Sequence, residues 1–128
     1  SRGLGDVYKR QDKAPAAVGP YVQAIGTEQF VFTSGQIPLN PETGELVTEI
    51  SAAARQVLNN IKAILEESGS SIDQVIKCTV YLADINDFAA VNEVYKEFFD
   101  EHKPARSALQ VAALPLGAAL EIEAIASI

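Results

Sequence analysis

Residues 75 to 82 read VIKCTVYL, and the order of apolar and polar side chains in this stretch decides most of the fold. The alternation predicts a strand. Ile76, Cys78, Val80 and Leu82 share one face, and Val75, Lys77, Thr79 and Tyr81 share the other. The first face is apolar enough to pack on helices, and the second is mixed. Cys78, on the apolar face, reads as an inert core residue, since free cysteine behaves as a small hydrophobe.

Helices are predicted on both sides of this strand. Upstream, Ala54, Val57, Leu58, Ile61, Ile64 and Leu65 recur at helical spacing over residues 51 to 67, with Ser51 as N-cap and Ser68-Gly69 as the stop. Arg55, Asn59, Lys62 and Glu66 fall on the opposite side. Downstream, a helix is predicted from Phe88 to Phe99, capped by Asp87 and barred from continuing by Pro104. Its inward stripe is Phe88, Val91, Val94 or Tyr95, and Phe98.

Further out the pattern is β-rich. Tyr21 to Ile25 and Gln29 to Thr33 read as short strands, and Asn40 to Gly44 as a turn leading to a short return strand at Glu45 to Val47. Ala105 to Ala113 and Ala119 to Ala126 are predicted as a hairpin around Leu114 to Gly117. This element order predicts an α+β domain, a mostly antiparallel mixed sheet with two helices packed on one face. The other face is expected to carry Lys77, Thr79 and Tyr81 on one strand, Arg106, Ala108 and Gln110 on another, and Glu121, Glu123 and Ile125 on the last. Such a face, too apolar to be left wet and too polar for a dry core, suits a subunit interface with a site in it.

Composition narrows the function. The chain has 128 residues, 48% of them hydrophobic, which suits one domain with one core. Residues 1 to 13 lack a period and are expected to be a disordered tail or a non-native leader, leaving 14 to 128 as a single domain. The net charge is −7, and the nearest approach to a basic run (Arg2, Lys9, Arg10 and Lys13) is spread thinly, so no nucleic-acid partner is expected. One cysteine and one histidine, Cys78 and His102, exclude an intrachain disulfide and a common zinc cluster within one subunit. No apolar run is long enough to span a membrane and no secretory signal is visible, so a cytoplasmic location is expected.

A few residues can carry chemistry. Arg106, directly after Pro104-Ala105, has the planar fork that binds a carboxylate bidentately; the bland alternative is an ion pair with Glu121 or Glu123. Glu121 and Glu123 point the same way from the last strand. One of them can position or deprotonate a water if burial raises its pKa, and the alternative is a hydrated or salt-bridged pair. Tyr21, after the rigid Gly19-Pro20, can stand at a pocket rim or simply pack. Ser34-Gly35-Gln36 can present backbone groups, and Asn92 can face a cleft or bond locally. The hairpin register does not bring Arg106 to Glu121, so their meeting needs a neighbouring subunit or another strand. No P-loop, dinucleotide fingerprint or nucleophile elbow is present.

The strings APAAVGPY (14 to 21), TSGQIPLNPETGE (33 to 45), VNEVY (91 to 95) and PARSALQVAALPLGAALEIEAIA (104 to 126) go further. With them, residues 14 to 126 resemble the Rid/YjgF family of enamine and imine deaminases, most closely its RidA branch. The resemblance implies a chorismate-mutase-like homotrimer with active sites between subunits. It implies hydrolysis of 2-aminoacrylate, 2-iminopropanoate or 2-iminobutanoate to 2-keto acids and ammonia. That activity protects pyridoxal-phosphate enzymes, with no metal, no cofactor and no obligatory protein partner. By the same resemblance Arg106 binds the substrate carboxylate, Glu121 orients or activates water, Tyr21 lines the pocket, and Ser34, Gly35 and Asn92 form or support it. Two positions depart from many relatives. Ala108 stands where they have cysteine, which puts thiol-dependent regulation in doubt, and Leu116 stands where they have lysine, in a turn. The reading from another class is a non-catalytic metabolite-binding or regulatory trimer using the same cleft.

Overall fold

The computed structural model describes residues 7–8 by their backbone, 13–16, and 21–128. Most of the segment expected to be a tail, and the Gly19-Pro20 turn, lie outside the described residues. Strands β1 (Val7–Tyr8), β2 (Ala24–Gly26) and β3 (Phe30–Thr33) precede helix α1 (Ile50–Glu67). Strand β4 (Val75–Leu82), helix α2 (Phe88–Phe99), strand β5 (Ala105–Gln110) and strand β6 (Leu120–Ser127) follow. The sheet order is β1-β2-β3-β6-β4-β5. Every pairing is antiparallel except that of β4 with β5, which is parallel. The predicted α+β class, with a mostly antiparallel mixed sheet, is the one observed.

The core lies between this sheet and the two helices. Val57, Leu58, Ile61, Ile64 and Leu65 of α1, and Val91, Val94, Tyr95 and Phe99 of α2, pack on Val31, Val80, Leu82, Leu120 and Ile122. Strand β6 alternates without a break, with Leu120, Ile122, Ala124 and Ala126 buried. It pairs with β3 on one side and β4 on the other, and so lies inside the sheet.

Several sequence expectations need correction. Strands β5 and β6 are not a hairpin. Val111 N–H donates to the Leu82 carbonyl (2.9 Å), and Ala83 N–H to the Ala119 carbonyl (3.0 Å). The connecting loop therefore crosses the end of β4 and delivers β6 to its far side. Ile76 does not share the inner face. A bulge between Val75 and Lys77 turns Val75 inward and leaves Ile76 44% exposed. Arg106, Ala108 and Gln110 lie on the helix-covered side, because Arg106 is in register with buried Cys78 and Ala108 with buried Val80. The open face of β5 instead carries Ser107 and Leu109.

The ends of elements also differ. Glu49 caps α1 in place of Ser51, its carboxylate accepting from the Ser51 and Ala52 amides at 2.8 and 3.0 Å. Asp87 precedes α2 without a side-chain cap. The α2 stripe ends on buried Phe99, with Phe98 only partly covered. The strand expected at Glu45 to Val47 is a single bridge between Leu39 and Leu46. Among the described residues no helix is long and apolar enough to cross a membrane.

One buried polar residue ties the helices to the loop after β3. Asn60 of α1 is fully buried. Its amide donates to the Leu39 carbonyl at 3.0 Å and the Ile37 carbonyl at 3.5 Å, and its oxygen accepts from Gln56 at 2.9 Å. Replacing it leaves the Leu39 carbonyl without this donor in a closed space, while the Ile37 carbonyl keeps the Leu39 amide at 2.7 Å. Asn60→Ala is expected to lower unfolding free energy by about 2 kcal/mol or more, read from the urea midpoint at unchanged slope.

Candidate functional site

The sequence candidates gather in two places. Tyr21, Ser34, Gly35 and Glu121 line one cleft of about 330 Å³, walled also by Ile37 and Pro115. The loop after β3 builds it. Ser34 N–H donates to the Gln23 carbonyl at 2.8 Å, and its hydroxyl donates to the Val22 carbonyl at 2.5 Å. Two residues on, Gln36 exchanges backbone hydrogen bonds with Ile122, at 2.8 and 3.0 Å. Buried Gln23 also donates to the Pro15 carbonyl at 2.7 Å. The chain from Ser34 to Ile37 is thereby pinned along β6, beside Glu121.

Gly35 is required there. A Cβ at this position would overlap the Glu121 carboxylate, so only glycine lets the acid lie against the backbone. Glu121 is half-buried, and its pKa is raised, first by burial and then by the charge of Glu123. A carboxylate moved toward working pH can accept a proton from water and return it. Glu123 is in register with Thr79, and Glu121 with Tyr81, all on the open face of the sheet.

Arg106 and Asn92 form the second place. Arg106 Nη1 donates to Asn92 Oδ1 at 2.8 Å. The guanidinium carbon lies 4.7 Å from the Tyr95 ring centre and 5.1 Å from that of Phe88. Arg106, Asn92 and Tyr95 line a cleft of about 370 Å³ between α2 and the start of β5, together with Lys96, Asp100, His102 and Pro104. Among the described residues no carboxylate pairs with Arg106, so within one chain it makes no ion pair with Glu121 or Glu123. Cys78, in register with Arg106, is buried, and burial pushes its thiol up to about 11, as befits a core residue.

Within one chain the two places stay apart. Arg106 faces the helices and Glu121 faces away from them, so the sheet stands between them. Sequence reading took Phe88 and Tyr95 only as core stripe and overlooked Ile37 and Pro115 as walls. The spacing of Phe88, Asn92 and Tyr95, at i, i+4 and i+7, was the available signal that both rings share a helix face with the Arg106 partner. Among the described residues no group of three His, Cys, Asp or Glu side chains could hold a metal ion.

An α+β sheet with two helices on one face has close counterparts among solved structures. The crystal structure of Escherichia coli TdcF with bound serine superposes with a TM-score of 0.92 at 50% identity, over 96% of this chain and 99% of that one. The model of the family described as Endoribonuclease L-PSP matches residues 11–128, and the chain belongs to that family, which is also the Rid/YjgF family. The 2-iminobutanoate/2-iminopropanoate deaminase of Escherichia coli K12 is 51% identical over 118 residues, 90% of this chain and 92% of its own. A RutC family protein of Pyrococcus abyssi is 55% identical over 116 residues, 90% of this chain and 91% of its own.

The raised pKa of Glu121 carries a stability consequence. A carboxyl group whose folded pKa lies above its unfolded one is easier to keep in the fold when neutral. Its contribution therefore falls as pH rises from below the unfolded value through the folded one. Glu121→Gln is expected to melt above the unchanged protein at pH 7, and the gap is expected to close near about pH 3.5, below the ordinary glutamate range. Thermal melts at the two pH values check the sign.

Proposed function

We propose that this chain hydrolyses 2-imino acids, and their enamine tautomers, to 2-keto acids and ammonia. The observation that carries the reading is Arg106. It is restrained by Asn92 and two aromatic rings and unpaired with any described carboxylate, which is the condition of a carboxylate receptor awaiting its ligand. The deaminase name borne by a relative at 51% identity supports the same reaction.

The site is completed between subunits of a homotrimer. The open sheet face supports this, with Phe32 45% and Leu109 42% exposed beside Glu121, Glu123, Thr79 and Tyr81. Large apolar side chains on a partly polar sheet face suit a subunit contact better than water. In the trimer the Arg106 edge of one copy meets the Glu121 cleft of the next. Each cleft then holds both charges that one chain keeps on opposite sides of its sheet.

The reaction needs few groups. The substrate carboxylate lies on the Arg106 fork and is fixed in plane. A proton on nitrogen, or on the enamine carbon, gives the iminium form. A water hydrogen-bonded to Glu121 adds its oxygen to C2 and gives a proton to the carboxylate. The carbinolamine nitrogen takes that proton, the C2 hydroxyl gives its own proton to the freed Glu121 carboxylate, the C–N bond breaks, and its electron pair leaves with ammonia as the C2 carbonyl forms. Tyr21 and Ser34 border the space where this occurs. Orientation and fixed charge supply the acceleration, and no covalent nucleophile is used.

The family description names an endoribonuclease. A net charge of −7 and scattered Lys and Arg give little to hold a polyphosphate backbone, so the small-molecule reading is favoured. A metabolite-binding trimer without turnover would use the same Arg106 but would not need Glu121. The test is a coupled assay in which threonine dehydratase generates the imine and semicarbazide traps what survives. The unchanged protein is expected to suppress trapping. Arg106→Ala is expected to lose on the order of 100-fold in kcat/KM with its assembly intact, as two charged hydrogen bonds vanish. Gly35→Ala is expected to lose activity by displacing Glu121. Undiminished trapping with the unchanged protein, or full activity in Arg106→Ala, overturns the reading.

A further inference from the structure

Arg106 has neighbours that the proposed reaction does not use. Phe88, Asn92 and Tyr95 fall on one face of α2, and all three reach the guanidinium. Asn92 occupies one N–H donor of the fork. The two rings occupy none, since a cation is drawn to the face of a π system rather than to a lone pair. Tyr95 is itself immobilised. It is 7% exposed, its ring lies 4.6 Å from that of Phe99, and its hydroxyl lies near the thiol of Cys78, the register partner of Arg106.

An exposed arginine on an edge strand otherwise samples many rotamers, and ordering it costs side-chain entropy. A carboxylate partner would order it but would compete with the substrate for the same fork. An aromatic surface orders it and leaves the in-plane donors for a ligand. We infer that Phe88 and Tyr95 are positioning residues, a π platform that sets the plane of the Arg106 guanidinium for bidentate capture of the substrate carboxylate. This rests on the reading of Arg106 as the carboxylate receptor. The ring of Tyr95 is the working part and its hydroxyl is not, so phenylalanine serves there and an aliphatic side chain does not. Phe88, only partly buried, offers a second position that can be changed with little risk to the core.

The experiment compares Phe88→Leu, Tyr95→Leu and Tyr95→Phe with the unchanged protein in two readouts. The first is steady-state deamination of the imine made by threonine dehydratase. The second is the Arg106 Nε–Hε resonance, observed alone and on titration with 2-oxobutanoate. The leucine variants are expected to raise KM about fivefold with kcat within about twofold, and to lose the ring-current displacement of the Arg106 signal. Tyr95→Phe is expected to keep both. Folded leucine variants with unchanged KM and an unmoved Arg106 signal overturn the platform, and so does a Tyr95→Phe variant as impaired as Tyr95→Leu. If the unchanged protein turns over no imine, the deaminase reading fails, while the Arg106 signal and its response to 2-oxobutanoate still decide whether the rings orient the fork.

Discussion

Side chains on neighbouring strands in register point to the same side of a sheet, and those one residue apart point to opposite sides. This rule, applied to β4, sorts the chemistry of the molecule. Cys78 is buried under the helices and brings Arg106 to that side; Tyr81, three residues on, faces away and brings Glu121 with it. Once β6 is drawn to the centre of the sheet by Leu120, Ile122, Ala124 and Ala126, Glu121 has no choice of face. The proposed base and carboxylate receptor are then held on opposite surfaces of a single subunit. A second copy of the chain is the economical way to bring such surfaces together, and the apolar side chains on the open face give it a reason to bind.

Each half of the proposed site is built against the interests of stability. Glu121 is partly removed from water next to another acid, and the backbone must lack a Cβ at Gly35 to admit it. Arg106 keeps a charge at an edge strand without a carboxylate to neutralise it, held by one amide oxygen and two rings. The surroundings hold these groups in place. Asn60 ties the loop walls to α1, Gln36 ties them to β6, and Ser34 ties them to the segment that carries Tyr21. Polar groups poised in this way suit a reaction in which charge moves at one carbon and nothing covalent forms.

Much of this was legible in the sequence, for physical reasons that differ by element. Strand β4 and both helices declare themselves by period, because each buries one face completely. Strand β5 has no such period; every residue but Ala108 is exposed, so nothing in its order marks which side Arg106 takes. The hairpin error has a related cause. Adjacency in sequence favours pairing β5 with β6, but β6 is seated between β3 and β4, and that placement is a property of the whole sheet. Ile76 was misplaced by a bulge, which adds a residue without a composition signal. The candidate site residues are named by a resemblance to a family, whereas their division between two faces follows only from register. Phe88 and Tyr95 escaped notice because aromatic residues on a helix stripe usually mean core, and here they also serve an arginine.

The most direct test of a site shared between subunits is complementation between two crippled chains. Arg106→Ala and Glu121→Gln proteins, each of low activity alone, are unfolded together in equal amounts, refolded, and assayed for imine hydrolysis. If each cleft takes its arginine from one chain and its glutamate from the next, random trimers recover about one quarter of the activity of the unchanged protein. No recovery, from mixed assemblies verified to contain both chains, would mean that Arg106 and Glu121 do not act together across a subunit boundary, and a shared intersubunit site would be ruled out.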